Sequence, residues 1–146
     1  METQATYDDV SLILRLYELR REEKLRQARS WFAKSFHART LEEATALCPP
    51  GSEQDAYFRM VISYWEMVAS FITSGVLNQE LFFQSGGELL FVWERMREIA
   101  PQAREAFKNK NMMKSLETVG NSYINWMNGK SPEAYAAFQA RVHAAA

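Results

Sequence analysis

Few side chains in this sequence have the type and spacing that catalysis, ligand binding or metal binding would need, and the most conspicuous is Glu66. It lies in the middle of YFRMVISYWEMVASFITSGVL, residues 57–77, which is otherwise almost wholly apolar. A carboxylate there could act as a functional acid, hold a ligand or form a structural ion pair. At about 100° per residue, a helix places Glu66 on a narrow polar stripe and not among the apolar side chains. The stripe consists of Asp55, Arg59, Ser63, Glu66, Ser70 and Thr73.

The sequence is compatible with two positions for this polar stripe. In one, the stripe faces solvent or a seam between helices, and Glu66 is hydrated or ion-paired. In the other, the stripe lines a cleft in which Glu66 and the small hydroxyl groups hold a ligand or a group of a partner protein. The residues alone leave both positions open.

Arg21 is a second charge in an apolar context. It falls between Leu14 and Leu25, close to the centre of the apolar stripe of the first predicted helix. Because an unpaired buried charge is costly, we expect Arg21 to extend to solvent, to pair with Glu18 one turn earlier, or to pair across helices with Glu66. A Glu66–Arg21 ion pair would fix the helix register or anchor a ligand.

Reactive side chains are scarce. The two histidines, His37 and His143, stand near opposite ends of the chain, and neither belongs to a Glu-x-x-His motif of the kind that binds a di-iron centre. Cys48 precedes Pro49-Pro50 at a predicted helix end, which favours a buried inert thiol over a nucleophile paired with His37. We therefore predict no metal site, no cofactor and no catalytic residue, and a protein that is not an enzyme.

Trp65 and Trp93 raise the alternative of a ligand-binding site. The chain has four tryptophans and seven methionines, and at helical spacing such residues are typical of a core in which methionine fills irregular gaps. A pocket near Trp65 and Trp93 would instead hold a small hydrophobic ligand. Its polar anchor would be Glu66 or Arg21.

The composition is that of an ordinary globular protein. The chain has 146 residues, 47% hydrophobic and 24% charged, which predicts a single domain over residues 1–146. Lys and Arg total 17 against 18 Asp and Glu, a net charge of −1, which argues against nucleic acid as the main partner. The N-terminal residues predict no secretory leader, and the most apolar run is too short to span a bilayer. We therefore expect a cytoplasmic protein and no membrane partner.

Helical periodicity runs through the whole chain, and no segment shows the alternation of a β-strand. The pattern predicts an all-α bundle of five or six helices. The first is a long N-terminal helix that begins after Thr6 and ends at about Phe36. Ser52 should cap a later helix, and Gly86-Gly87 should kink or break another. The apolar stripe of the long helix is formed by Tyr7, Val10, Leu14, Tyr17, Leu25, Ala28, Phe32 and Phe36.

Both ends of this long helix, residues 7–14 and 31–36, carry more aromatic and aliphatic surface than one neighbouring helix is able to cover. Such surface predicts a non-catalytic protein-interaction or regulatory module. Its partner would be another protein or a second copy of the chain, as in a homodimer. A sensor or carrier of a small hydrophobic ligand is the alternative function.

Two segments of the chain resemble a known family. They are YFRMVISYWEMVASFITSGVLNQELFF and GGELLFVWERMREIAPQAREAFKNKN, which carry the Trp65-Glu66 pair, GVLN at residues 75–78, and Trp93. In these segments the chain resembles a bacterial all-helical family described as a domain of unknown function. The resemblance implies an all-α fold and a bacterial cytosolic or membrane-associated setting, and it brings no activity with it. Some relatives are expected to have an N-terminal membrane helix, whereas we expect this chain to begin directly at the soluble part.

Overall fold

The computed structural model describes residues 4–144, which form nine α-helices and contain no β-strand. The predicted all-α class is confirmed. Within these residues, no helix is both long enough and apolar enough to cross a bilayer. The helices are α1 (Tyr7–Arg20), α2 (Glu23–Ser35), α3 (Leu41–Leu47), α4 (Glu53–Thr73), α5 (Gln79–Phe83), α6 (Gly87–Met96), α7 (Ile99–Ala106), α8 (Lys114–Lys130) and α9 (Ala134–Ala144).

The predicted long N-terminal helix is wrong, and the predicted count of five or six helices is too low. The chain leaves the helix at Arg21 and Glu22 and starts a new one at Glu23. The Glu22 carboxylate stabilises this new start because it accepts hydrogen bonds from the backbone N–H groups of Lys24 (3.1 Å) and Leu25 (3.0 Å). No glycine or proline marks the break, so the sequence contains no ordinary breaker signal.

Arg29 ties the two pieces together. Its guanidinium donates to the carbonyl oxygen of Arg20 at the end of α1 (2.8 Å) and to the two carboxylate oxygens of Glu88 in α6 (2.7 Å each). Such two-point pairs between arginine and a carboxylate are the strong, directional kind. One side chain of α2 therefore holds the end of α1 and the start of α6.

The break divides the predicted apolar stripe into an inner and an outer half. The inner half is buried in α2 and directly after it: Leu25, Ala28, Phe32 and Phe36. The outer half lies on α1: Tyr7, Val10, Leu14 and Tyr17, which are 82%, 40%, 59% and 47% exposed. Of the two ends predicted to carry excess apolar surface, the aromatic rings of residues 31–36 are largely covered, whereas residues 7–14 keep an exposed apolar face.

The central helix is α4. It packs against α2, α6 and α8, while α9 packs against α6 and α8. Ser52 caps α4 as predicted, since its Oγ accepts a hydrogen bond from the N–H of Asp55 at 3.1 Å. The predicted break at Gly86-Gly87 is also confirmed, because α6 begins at Gly87 and Gly86 packs directly on the ring of Phe82.

Candidate functional site

An open groove of about 900 Å³ lies between α3, α4 and the chain from the end of α6 to the start of α8. We call it the groove. Phe107 is its most exposed large hydrophobic side chain, at 65%. The apolar side chains that supply most of its lining are Leu41, Ala44, Cys48, Ala56, Phe58, Met60, Ile62, Met96, Ile99, Ala103, Phe107, Met112 and Met113.

The predicted polar stripe of α4 supplies most of the polar part of the lining. Its members in the groove are Asp55, Arg59, Ser63 and Glu66. These residues follow one another at intervals of four, four and three positions, so they form one line along α4. Arg59 Nε lies 3.5 Å from Asp55 Oδ2 and forms an ion pair with it. The stripe combines features of the two positions that the sequence left open: these four residues border a cleft, and Glu66 also meets α8 at a seam between helices. That the cleft holds a ligand or a partner group stays a prediction.

Glu66 has a structural role at the N-terminus of α8. Its Oε1 accepts a hydrogen bond from the N–H of Leu116 (2.8 Å), and its Oε2 accepts one from the N–H of Ser115 (3.3 Å). The N-cap residue of α8 is Met113, which has a left-handed backbone (φ 58°) and makes no side-chain cap hydrogen bond. Glu66 therefore replaces the missing cap, and its charge faces the positive end of the helix dipole.

The structure does not bring Glu66 and Arg21 together. Arg21 is exposed at the C-cap of α1, where its guanidinium carbon lies 5.7 Å from the centroid of the Tyr17 ring. The prediction placed Arg21 inside one continuous apolar stripe that ran on to Leu25. Because the helix ends at this point, Arg21 instead extends to solvent, which is one of the three outcomes considered for it.

Trp65 and Trp93 are core side chains, 1% and 2% exposed, and neither lines the groove. Trp93 packs against Gly120 so closely that a Cβ added there would lie 2.4 Å from its ring. Trp65 lines a separate cavity of about 140 Å³ together with Tyr17 and Arg20. That volume is below the usual size of a small-molecule site, roughly 300–1,000 Å³. The large apolar groove therefore does not lie near the two tryptophans, where the alternative prediction placed a ligand pocket.

A buried polar cluster beneath α9 was not predicted. At its centre is Glu94 of α6, whose side chain is 1% exposed. The Tyr135 hydroxyl donates to Glu94 Oε1, and His143 Nε2 lies 2.7 Å from Oε2. Gln139 donates to Oε2 at 3.3 Å, and Arg97 lies 3.4 Å from Oε1. The three residues from α9 recur at every fourth position, and this spacing is the signal in the sequence that could have revealed a polar face on that helix.

The hydrogen bonds decide the charge state of this cluster. Burial alone would raise the pKa of Glu94, but the hydrogen bonds from Tyr135, His143 and Gln139 outweigh it, so the pKa is lowered. Burial and the hydrogen bond to Glu94 raise the pKa of Tyr135 to about 12. The space beside the cluster is about 20 Å³, which is enough for one water molecule and too small for a substrate. The cluster therefore serves to fasten α9 to α6.

Arg95, the next residue of α6, is buried because it caps the end of α2. Its Nη1 donates to the carbonyl oxygens of Phe32 (2.8 Å), Ala33 (3.0 Å) and Phe36 (2.8 Å). The guanidinium carbon lies 4.6 Å from the centroid of the Phe91 ring, and burial lowers the pKa of Arg95. Both buried charges of α6 thus support the packing of other helices.

The titratable side chains of the groove are engaged or inert. Asp55 pairs with Arg59, Glu66 binds α8, and burial raises the pKa of the Cys48 thiol to about 11, so the thiol stays protonated near neutral pH. Within the described part of the chain, no three His, Cys, Asp or Glu side chains are placed to hold a metal ion. The groove offers apolar surface bordered by a line of polar side chains, an arrangement typical of a docking site for an amphipathic helix.

Residues 5–126 match the family described as Domain of unknown function (DUF4760), and the chain belongs to that family. The predicted resemblance is therefore confirmed. The match contains α1 to α7 and most of α8 but not α9, so Glu94 lies inside it and the partners of Glu94 on α9 lie outside. Comparisons with curated proteins and with solved structures gave no match.

Proposed function

We propose that this member of the DUF4760 family is a non-catalytic protein-interaction module, and that the groove binds an amphipathic helix of a partner protein. The observation that carries the proposal is the length of open apolar surface beside α4. The groove follows α4 from Asp55 to Glu66, which is about 16 Å at the rise of an α-helix. That length accommodates about three turns of a docked helix.

The lining suits a helix that has one apolar face. Four of the seven methionines of the chain line the groove, and methionine side chains adapt to partners of different shape. A docked helix would cover the exposed ring of Phe107. Its polar face would meet Asp55 and Arg59, which stand along the α4 wall. These features support binding of a protein segment without any chemical step.

A sensor or carrier of a small hydrophobic ligand is the second candidate. The volume of the groove, about 900 Å³, favours it because small-molecule sites usually measure roughly 300–1,000 Å³. Arg59, whose side chain is 71% exposed, would then contact a polar group of the ligand. Both candidate functions assume the bacterial, cytoplasmic setting that is expected from the sequence. Fractionation of the cells that produce the protein tests that location.

Site-specific photo-crosslinking in those cells tests the proposed function. A photoreactive phenylalanine analogue replaces Ala56, a small residue of the groove, and in a control chain it replaces Ala137, which is exposed on α9. We expect the groove position to give a discrete protein adduct. Its crosslinked peptide, identified by mass spectrometry, should have apolar residues at the spacing of one helix face. The control position should give no such adduct.

A variant that blocks the groove makes this result specific. Ser63→Arg places a long charged side chain in the groove, and because Ser63 is exposed on α4 the free energy of unfolding should stay within about 0.5 kcal/mol of wild type. The adduct at Ala56 should then disappear. An adduct that survives Ser63→Arg, or equal adducts at Ala56 and Ala137, would contradict the proposal. A bound mass of lipid size in native mass spectrometry, lost in Ser63→Arg, would instead favour the ligand carrier.

A further inference from the structure

Arg20, the last residue of α1, carries a charge that no carboxylate of the described chain neutralises. Its side chain is half-buried, and none of the ion pairs found among residues 4–144 involves its guanidinium. The guanidinium carbon lies 4.8 Å from the centroid of the Tyr17 ring and 5.7 Å from that of the Trp65 ring. Aromatic faces attract a cation but accept none of its N–H groups in ordinary hydrogen bonds. The donors of Arg20 therefore stay available to a ligand.

A cavity of about 140 Å³ lies beside this guanidinium, and we call it the Arg20 cavity. Its polar lining comes from Tyr17, Arg20 and Ser85, and Trp65 also lines it, with a buried indole N–H that has no acceptor in the described part of the chain. At about 30 Å³ per water molecule, the cavity has the space of four or five waters, which suits a small organic ion. The other lining residues are mostly apolar: Ile13, Leu16, Tyr64, Val68, Phe82 and Gly86.

The charges around the cavity do not cancel. Burial raises the pKa of Tyr64 to about 12, while Arg20 and Arg29 oppose this rise and Glu88 adds to it, so these three charges act on the same hydroxyl. Arg29 and Glu88 neutralise each other through their two-point pair. The charge of Arg20 is thus in excess, and an anion in the cavity would balance it.

We propose that the Arg20 cavity binds a small monocarboxylate, the anion of a short-chain organic acid. The carboxylate accepts two N–H donors of Arg20, the arrangement in which a guanidinium and a carboxylate bind most strongly. The Ser85 hydroxyl, which makes no hydrogen bond within the described residues, supplies a further donor. The alkyl end of the acid lies against the apolar walls, where Val68 and Phe82 are buried.

The lining favours a carboxylate over inorganic phosphate. Phosphate is polar on every side, and each of its oxygens loses hydration unless it finds a donor. Of the described residues that line the cavity, Arg20 is the one cation, and most of the others present apolar surface. A carboxylate with a short alkyl chain has one polar end and one apolar end, as the cavity does.

The Arg20 cavity is separate from the groove. The two share no lining residue among those described. Tyr64, which lines the cavity, is about 160° around α4 from Glu66, which lines the groove. The inference therefore does not rest on the proposed function, and changes in the cavity leave the groove intact.

Titration of the full chain with propionate, followed by NMR at neutral pH and constant ionic strength, tests the inference. The indole N–H resonance of Trp65 is the reporter, since Trp65 lines the cavity. We expect a saturable shift with a Kd of about 1 mM. Propionamide, which has the same shape without the charge, and inorganic phosphate should each bind at least about tenfold more weakly.

Variants of the cavity make the result specific. Arg20→Met removes the charge and keeps a long side chain, so the affinity for propionate should fall at least about tenfold. Ser85→Phe keeps the cation but fills part of the cavity, and it should weaken binding as well. Arg21→Met is the matched control, because Arg21 is exposed beside Arg20 and does not line the cavity. Its affinity should equal that of wild type, and circular dichroism should show the same helix content in every variant.

Four results would overturn the inference. They are a wild-type chain that gives no saturable shift, equal affinities for propionate and propionamide, phosphate binding as tight as propionate binding, and equal losses in Arg20→Met and Arg21→Met. The last would mean that basic surface attracts anions without a built site. If Arg20→Met does not fold, the comparison of propionate with propionamide on the wild-type chain still decides. None of these results affects the proposed function, which depends on the photo-adduct at Ala56.

Discussion

Glu94 and Glu66 are both carboxylates on apolar helices, yet the fold surrounds them in opposite ways. Glu94 is covered by α9 and receives donors from Tyr135 and Gln139, with His143 at 2.7 Å. Glu66 binds two backbone N–H groups at the start of α8 and still lines an open groove. The contacts of Glu94 hold α9 over apolar surface of α6, whereas the contacts of Glu66 leave apolar surface of α4 exposed in the groove.

This difference shows how the fold uses its last helix. A covering segment exists, since α9 packs over α6 and α8, but it is fastened to Glu94, and none of its residues lines the groove. The groove thus stays open, although α9 covers apolar surface elsewhere in the molecule. An open apolar groove in a molecule whose polar cluster is sealed suits the proposed binding module, because the binding surface must stay free while the rest of the molecule is stable.

Removing the Glu94 carboxylate should have the largest effect on stability. Glu94→Ala leaves the donors of α9 without their acceptor, and we expect the free energy of unfolding to fall by about 2–3 kcal/mol, as measured by urea denaturation. The matched control is Glu98→Ala, since Glu98 pairs with Arg39 through side chains that are 53% and 51% exposed. The free energy of unfolding of this control variant should fall much less. Equal losses for the two variants would contradict the sealing role of Glu94.

Removing the Glu66 carboxylate should have a smaller effect that is confined to α8. Glu66→Ala takes away a helix cap, which typically costs about 1–2 kcal/mol. Hydrogen exchange should become faster at the amides of Ser115 and Leu116, the two donors to Glu66. Ser63→Ala, one turn away, serves as the control and should stay within about 0.5 kcal/mol of wild type. Unchanged exchange at both amides would show that Glu66 does not cap α8.

The smallest effect should be the part of the acid dependence of stability that Glu94 contributes, since the pKa values of Asp9, Glu22 and Glu98 are lowered as well. Because the pKa of Glu94 in the folded protein lies below its ordinary value of 4.5, its contribution to stability is present above that pH and is lost as the pH falls through the folded pKa. Urea denaturation between neutral pH and acid should therefore give a shallower loss below this value for Glu94→Gln than for wild type. If the free energy of unfolding fell equally with pH in Glu94→Gln and wild type, the buried carboxylate would not be stabilised by its donors.

Local sequence patterns were enough to predict the all-α class, the Ser52 cap and the break at Gly86-Gly87, because each depends on neighbouring residues. The polar line on α4 was also predictable, since helical spacing alone places Asp55 and Glu66 on one face. That the line borders a groove depends on how α3 and α7 pack, and one sequence does not contain that information.

The errors have tertiary causes. The break at Arg21 and Glu22 depends on a glutamate that caps the following helix and on Arg29, which bridges α1 and α6. Neither is a standard breaker, so periodicity alone extended one helix through the junction. The Glu94 cluster was missed because Glu94 and its three partners on α9 are 41 to 49 positions apart in the chain and meet only when α9 docks.

The most direct test of the open groove uses the neutral apolar dye Nile red and measures its fluorescence with the wild-type chain. We predict saturable binding of dye in the groove, and loss of that fluorescence in the Ser63→Arg variant. Fluorescence that is absent from the wild-type chain, or that is unchanged by Ser63→Arg, would contradict an accessible apolar binding surface beside α4.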